Sequence, residues 1–179
     1  MRGTVITVGG PPGSGKSTAA KTLAGLLERT YCSAGGIFRA EAVRRNMSLP
    51  DFSALAEKDE GIDEWLDEKM VLLASPSSLL EGRIIGQMLL QRRIPVYRIM
   101  ITASEQERAN RISGRDGVGY DEALQAMRQR EASERSRYLR YYGIDLEKLE
   151  YEMVVDSTEL GPIPLREKIL ADLPFELKD

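Results

Sequence analysis

The chain contains no histidine. That absence removes Ser-His-Asp and Cys-His nucleophilic catalysis and most zinc enzymes, because imidazole is the base in the first two and a common ligand in the third. Cysteine occurs once, at Cys32, which excludes an intramolecular disulfide and a cysteine-rich zinc site. Cys32 is read as a buried strand residue. No run of about 18 apolar residues is present, so no segment is a candidate membrane-spanning helix. The first ten residues hold only a short β-type stretch, less than the apolar segment of a secretory signal, so a cytoplasmic protein is expected. An excess of basic residues is also missing: Lys and Arg number 25 against 28 Asp and Glu, a formal net charge of −3. A protein held on nucleic acid by bulk charge is ordinarily basic, so neither nucleic acid nor membrane is expected as a partner.

What is present is an alternation. Five short β-type runs lie at Thr4–Val8, Thr30–Ser33, Ser78–Glu81, Pro95–Thr102 and Tyr151–Asp156. Helical patterns fall between them, at Lys16–Leu27, Gly36–Asn46, Leu49–Lys58, Ile62–Leu73, Ile84–Arg92, Glu105–Ser113, Asp121–Tyr142 and Pro164–Leu173. Ser48 is placed to cap the third helix, with Pro50 in its first turn. Ser104 with Glu107 three residues on predicts a capping box. Short strands alternating with longer helices give an α/β fold: a three-layer α/β/α sandwich on five parallel strands with right-handed crossovers. About 44 helical residues separate the second and third strands, more than one crossover needs, which predicts a helical insertion.

The segment Gly10-Pro11-Pro12-Gly13-Ser14-Gly15-Lys16-Ser17-Thr18 satisfies G-x-x-x-x-G-K-S/T between a predicted strand and a predicted helix. Glycines let the backbone curl until successive N–H groups face an anion, and the helix start adds its positive dipole end. Lys16 then reaches the terminal phosphates of a nucleoside triphosphate, and the Ser17 hydroxyl ligates Mg²⁺. This loop serves switches, motors and kinases alike. An Asn-Lys-x-Asp guanine reader is absent, which argues against a GTPase switch.

Two further strand ends carry cations. The second continues Ser33-Ala34-Gly35-Gly36-Ile37-Phe38-Arg39 and the third ends Leu80-Glu81-Gly82-Arg83. Open α/β sheets bind ligands at strand carboxyl ends. Glu81 is placed to orient Mg²⁺ through water, and Arg39 and Arg83 to grip a second phosphate. From Arg111 to Arg140 there are seven arginines and no lysine: Arg111, Arg115, Arg128, Arg130, Arg135, Arg137 and Arg140. Arginine without lysine points to forked phosphate recognition. Arg111 and Arg115 share a helix face, and Gly114, Gly117 and Gly119 offer hinges, so the segment reads as a lid. Arg137 and Arg140 read instead as solvated helix positions. The whole chain, 1–179, is expected to be one P-loop NTPase domain. Its monophosphate-binding insertion falls at about 34–75 and its lid with the arginine-rich helix at about 111–141. A phosphate monoester acceptor is mostly dianionic at neutral pH and needs no general base, which accords with the missing histidine.

These residues resemble nucleoside monophosphate kinases, and among them the archaeal-type cytidylate kinases. The likeness rests on the Gly10–Thr18 loop, Ser33-Ala34-Gly35 with Ile37-Phe38-Arg39, Ile62-Asp63 with Leu66-Asp67, Leu80-Glu81-Gly82-Arg83 with Gly86, the lid arginines, and Asp156-Ser157-Thr158. It implies ATP-dependent transfer to CMP and dCMP, with Mg²⁺, in a protein expected to act as a monomer. It implies Lys16, Arg39, Arg83, Arg111, Arg115 and Arg128 as catalytic groups. It implies Ser33, Gly35, Phe38, Arg39, Asp63, Glu81, Gly82, Arg83 and Arg130 at the monophosphate. The chain departs from the family pattern at Gly36 and Ile84-Ile85, positions that bear on base selectivity. A kinase for AMP or another small phosphorylated acceptor, a regulatory P-loop ATPase and an RNA-binding arginine helix stand as the competing readings.

Overall fold

A computed structural model describes residues 3–178. Its strands are β1 (Val5–Gly9), β2 (Thr30–Ser33), β3 (Ser78–Glu81), β4 (Val96–Thr102) and β5 (Met153–Asp156). They form one parallel sheet in the order β2-β3-β1-β4-β5. β1 is central, paired with β3 on one side and β4 on the other, and buried at all five residues, as an unbroken apolar run predicts. The register aligns the carboxyl tips: Val8 lies beside Glu81, Ser33 beside Glu81, and Thr102 beside Asp156.

The helices are α1 (Lys16–Leu26), α2 (Ala34–Arg44), α3 (Leu49–Ala56), α4 (Glu60–Leu72), α5 (Ile85–Gln91), α6 (Glu105–Asp116), α7 (Tyr120–Tyr142) and α8 (Pro162–Asp172). One face of the sheet buries Leu23, Leu165 and Ile169 from α1 and α8 against Ile6, Ile99 and Ile101. The other buries Met70 from α4 and Ile85 and Leu89 from α5 against Val5 and Leu80. The three layers expected from the alternation are therefore present. Two excursions carry cores of their own. Ala42, Phe52, Ala56 and Ile62 cluster within α2–α4. Ala109, Ile112, Ala123 and Met127 cluster between α6 and α7. Full burial of Phe52 contributes on the order of 2–3 kcal/mol of transfer free energy to the first.

Local chemistry sets the boundaries. Ser48 and Asp59 cap α3 and α4 by accepting from the N–H groups of Asp51 and Gly61. α2 begins two residues before its expected start because Ser33 caps it, accepting from Gly36 N–H at 3.0 Å. α6 runs three residues past Ser113 and stops at Gly117, whose φ of 69° is the left-handed cap conformation. Gly117 and Gly119 thus bound the α6–α7 turn, while Gly114, expected as a third hinge, lies inside α6. The predicted capping box is only half formed. Ser104 Oγ accepts from Glu107 N–H at 3.3 Å, but Ser104 N–H donates to Thr158 Oγ1 at 2.9 Å. Glu107 instead receives Arg111 Nε at 2.8 Å, since a cation one turn away is a stronger partner than a backbone amide. A final 3₁₀ turn at Phe175–Leu177, unexpected from the sequence, returns Leu177 to the sheet's core. Among the described residues no helix is long and apolar enough to cross a membrane.

Candidate active site

The central strand delivers the glycine loop to the middle of the sheet's carboxyl edge. Gly10 and Gly13 have φ of 154° and 79°. A Cβ at Gly10 would lie 2.3 Å from the Ile101 carbonyl oxygen, and one at Gly13 would lie 2.6 Å from the Arg108 carbonyl oxygen. Both positions therefore require glycine on conformation and on space. Lys16 Nζ folds back to donate to the Pro11 carbonyl at 3.2 Å. Burial lowers the Lys16 ammonium from its ordinary value to about 8; Arg130 and Arg83 push the same way, and Glu81 and Glu134 oppose them. Such an ammonium is short of compensating negative charge.

Ser17 Oγ donates to Glu81 Oε1 at 2.6 Å, joining the loop to the tip of β3. The other Glu81 oxygen accepts from the Tyr31 hydroxyl on β2. Burial, followed by that bond, pushes the Tyr31 hydroxyl up to about 12. Ser17 and Glu81 are hard oxygen donors of the kind Mg²⁺ takes. Among the described residues no cluster of three or more Asp, Glu, His or Cys groups surrounds them. This donor set suits an ion held largely by phosphate oxygens and water, so the residues fit the metal expected there.

Next to this tip lies a group of charges from three elements. Arg83 Nε sits 2.9 Å from Glu134 Oε2 on α7, and Arg130 Nε donates to Glu134 Oε1 at 2.8 Å. Glu134 is only 4% exposed. Burial disfavours its charge, but Arg130 and Arg83 outweigh that and hold the carboxyl below its ordinary value. One turn further along α7, Arg137 pairs with Asp63 of α4. The expectation that Arg137 is solvated is overturned: its side chain is 19% exposed, because the buried Asp63 carboxylate faces it. Arg140 does lie exposed, over the Tyr141 ring.

Other expected residues fall in different settings. Arg39 is exposed, lies over Gly35, and has no carboxylate partner among the described residues. Phe38 stacks on Phe52 at 4.5 Å, inside the insertion's own core. Gly82 N–H donates to the Val8 carbonyl at 3.2 Å, which brings the Glu81–Arg83 turn against β1. Arg111 donates to Ser157 Oγ at 3.0 Å and to the Ser157 carbonyl at 2.7 Å. It walls a cleft of about 560 Å³ between the start of α1, α6 and the β5–α8 turn, with Thr18, Glu107 and Leu160. Arg115 and Arg128 are exposed and paired with Asp116 and Glu105. Cys32 is half-buried, short of the full burial expected.

Arg108, Tyr31 and Glu134 were not singled out from sequence as site residues. Arg108, 8% exposed, donates to the Pro12 carbonyl at 3.2 Å and pairs with Glu131, so it props the glycine loop from α6. Its spacing of three from Arg111 put it on the same helix face, a signal that was available. Tyr31 and Glu134 gave no such signal. Ser157, part of the Asp156-Ser157-Thr158 likeness, is fully buried: its N–H donates to the Thr102 carbonyl at 2.8 Å and its Oγ lies 2.8 Å from the Ser14 carbonyl, pinning the loop to β4.

Asp67, on the same face of α4 as Asp63, is pushed up to about 7, chiefly by burial and then by Asp63's charge. The folded chain therefore keeps a proton that the unfolded chain releases near pH 4, and stability falls as pH rises from about 4 to about 7. Asp67→Asn is expected to match wild type near pH 4 and to exceed it by up to about 4 kcal/mol at pH 8. Thermal melts across that range check this; a difference independent of pH refutes it.

A glycine loop with its lysine at the centre of a 2-3-1-4-5 parallel sheet, with Arg83 from the β3–α5 turn and Arg130 from α7 beside that lysine, is the arrangement of a P-loop phosphotransferase. The fold agrees: shikimate kinase from Bacteroides thetaiotaomicron superposes with a TM-score of 0.64 at 13% identity, covering 96% of this chain and 99% of that one. The family model described as cytidylate kinase matches residues 6–74, and that of the cytidylate kinase-like family matches residues 69–159. A cytidylate kinase of Methanocaldococcus jannaschii is 41% identical over 158 residues, covering 87% of this chain and 89% of that protein. A cytidylate kinase of Sulfurisphaera tokodaii is 37% identical over 176 residues, covering 97% of each. The chain belongs to the cytidylate kinase family and is a nucleoside monophosphate kinase.

Proposed function

We propose that the protein transfers the γ-phosphate of ATP to CMP, and to dCMP, giving the diphosphate and ADP. The observation that carries the reading is the convergence of Lys16, Arg83 and Arg130 at the strand tips. Lys16 belongs to the glycine loop, Arg83 and Arg130 meet at Glu134 beside it, and the Asp63–Arg137 pair follows one turn further along α7. The loop amides and Lys16 hold the donor's phosphates, and the cleft walled by Arg111 takes its base against a flat guanidinium face. Arg83 and Arg130, with the exposed Arg39, hold the acceptor's phosphate. Arg130, Glu134 and Arg137 follow one face of α7, so the acceptor's base falls near Asp63 and Arg137. A carboxylate beside a guanidinium suits cytosine, whose edge offers an amino donor next to two acceptors. Ser17 directly and Glu81 through water would hold Mg²⁺, which when bound supplies charge neutralisation on the donor's terminal phosphates.

The acceptor phosphate is its own nucleophile, so the chain supplies positioning and positive charge and no base. Closure of the α6–α7 excursion over the phosphates would exclude competing water. Arg115 and Arg128 join the phosphates only by exchanging Asp116 and Glu105 for them. ATP and nucleoside monophosphates are intracellular metabolites, so the reading favours a protein acting in the cytoplasm as a monomer. A coupled ADP-release assay across CMP, dCMP, UMP, AMP and GMP tests it. CMP and dCMP are expected to give the highest kcat/KM; phosphorylation of AMP alone refutes the base assignment.

A further inference from the structure

We infer that Glu134 is a positioning residue: it brackets Arg83 and Arg130 by their Nε atoms and so aims both guanidinium forks at one acceptor phosphate. The inference rests on the kinase reading above and adds a residue to it. Arg83 stands in the turn between β3 and α5, and Arg130 stands in α7. No backbone element fixes one relative to the other. The shared carboxylate does, with one oxygen for each: Oε1 at 2.8 Å from Arg130 Nε, Oε2 at 2.9 Å from Arg83 Nε.

The choice of nitrogen is what matters. Elsewhere in this protein a carboxylate consumes the fork. Glu105 takes Nε and Nη2 of Arg128, and Glu152 takes Nε and Nη2 of Arg98. Such a two-point grip leaves little of the guanidinium for a phosphate. Glu134 hydrogen-bonds Arg130 at Nε, and its nearest approach to Arg83 is also at Nε, a 2.9 Å charge contact that is not aligned as a hydrogen bond. Among the described residues, no hydrogen bond engages the terminal nitrogens of Arg83 or Arg130. Two planar groups tethered at their inner edges keep their outer edges for an incoming anion. A buried carboxylate in an anion pocket also repels the ligand, and alone that would weaken binding. Its retention between two arginines is explained by orientation: it fixes two long side chains whose rotamer freedom would otherwise be lost on binding.

Glu134→Gln separates the bracket from the fold. The amide keeps the shape and can accept from one Nε, but it presents N–H to the other, which is also a donor. The expected result is a fall of about 30-fold in kcat/KM for CMP, carried by KM, with KM for ATP within about threefold. Inorganic phosphate, used as a probe competing with CMP, is expected to lose inhibitory strength in parallel. Glu134→Asp, one methylene short of spanning both arginines, is expected to fall between. Should Glu134→Gln fail to fold, Arg130→Lys keeps the charge and loses the Nε contact, with the same selective loss expected. The inference is overturned if Glu134→Gln keeps kcat/KM for CMP within threefold or binds phosphate more tightly. It is also overturned if the KM values for CMP and ATP rise together with a lowered melting temperature. A wild-type protein that leaves CMP unphosphorylated would undo the kinase assignment instead. Thermal-shift titration of wild type and Glu134→Gln with inorganic phosphate would then still read the bracket: selective loss of phosphate protection supports it, and equal protection refutes it.

Discussion

Lys16→Met is expected to lower kcat/KM for phosphoryl transfer by on the order of a thousandfold. The side chain is held in the glycine loop by one bond to the Pro11 carbonyl, and its ammonium is loosened to about 8 chiefly by burial. Methionine reproduces the apolar stem as far as Cε and lacks only the terminal nitrogen position, so the loop loses charge and little packing. The stability effect has the opposite sign. A lysine depressed from 10.5 to about 8 is disfavoured in the folded chain while it stays charged, so removing the charge relieves a strain that is fully present below about pH 8. The variant is thus expected to be inactive yet to melt no lower than wild type at pH 7. Steady-state kinetics with a melt on the same preparation decides it; an activity loss under tenfold sinks the role given to Lys16.

Arg83→Ala is expected to cost a comparable factor, on the order of a thousandfold in kcat/KM for CMP. Two deficits add. The acceptor phosphate loses a forked donor, and the buried Glu134 loses one of its two partners. A carboxylate left short of a partner in a buried setting costs about 3 kcal/mol, so a lower melting temperature accompanies the kinetic loss. Arg83→Lys restores charge without the planar fork and is expected to recover less than a tenth of the activity. Full recovery by lysine would show that charge alone is read at this position. A loss appearing in KM for ATP and not in KM for CMP would move Arg83 to the donor side.

Much of this was legible in the linear chain because its signals are local. Four- to eight-residue β-type runs marked all five strands to within two residues, and the glycine loop fixed the pocket's floor. Pairing between distant elements was not legible. Arg137 and Arg140 look alike in sequence, yet one meets the buried Asp63 and the other faces solvent over Tyr141. Composition cannot tell which arginine a carboxylate will claim, because the claim depends on how α4 and α7 pack. Tyr31 reaches Glu81 only because parallel register sets β2 beside β3, a contact across 50 residues. Ser104 and Glu107 show the reverse failure, where a correct local motif was half displaced by Thr158 and Arg111.

α2–α4 closes over its own cluster around Phe52, yet α4 also sends Met70 into the sheet against Val5 and Leu80. Asp63 and Met70 stand two turns apart on one face of that helix, so under the proposed reading a change of taste at the acceptor's base is felt by the central strand. A lineage that retunes which nucleotide it accepts has to do so without tilting the helix that braces the phosphate-handling machinery.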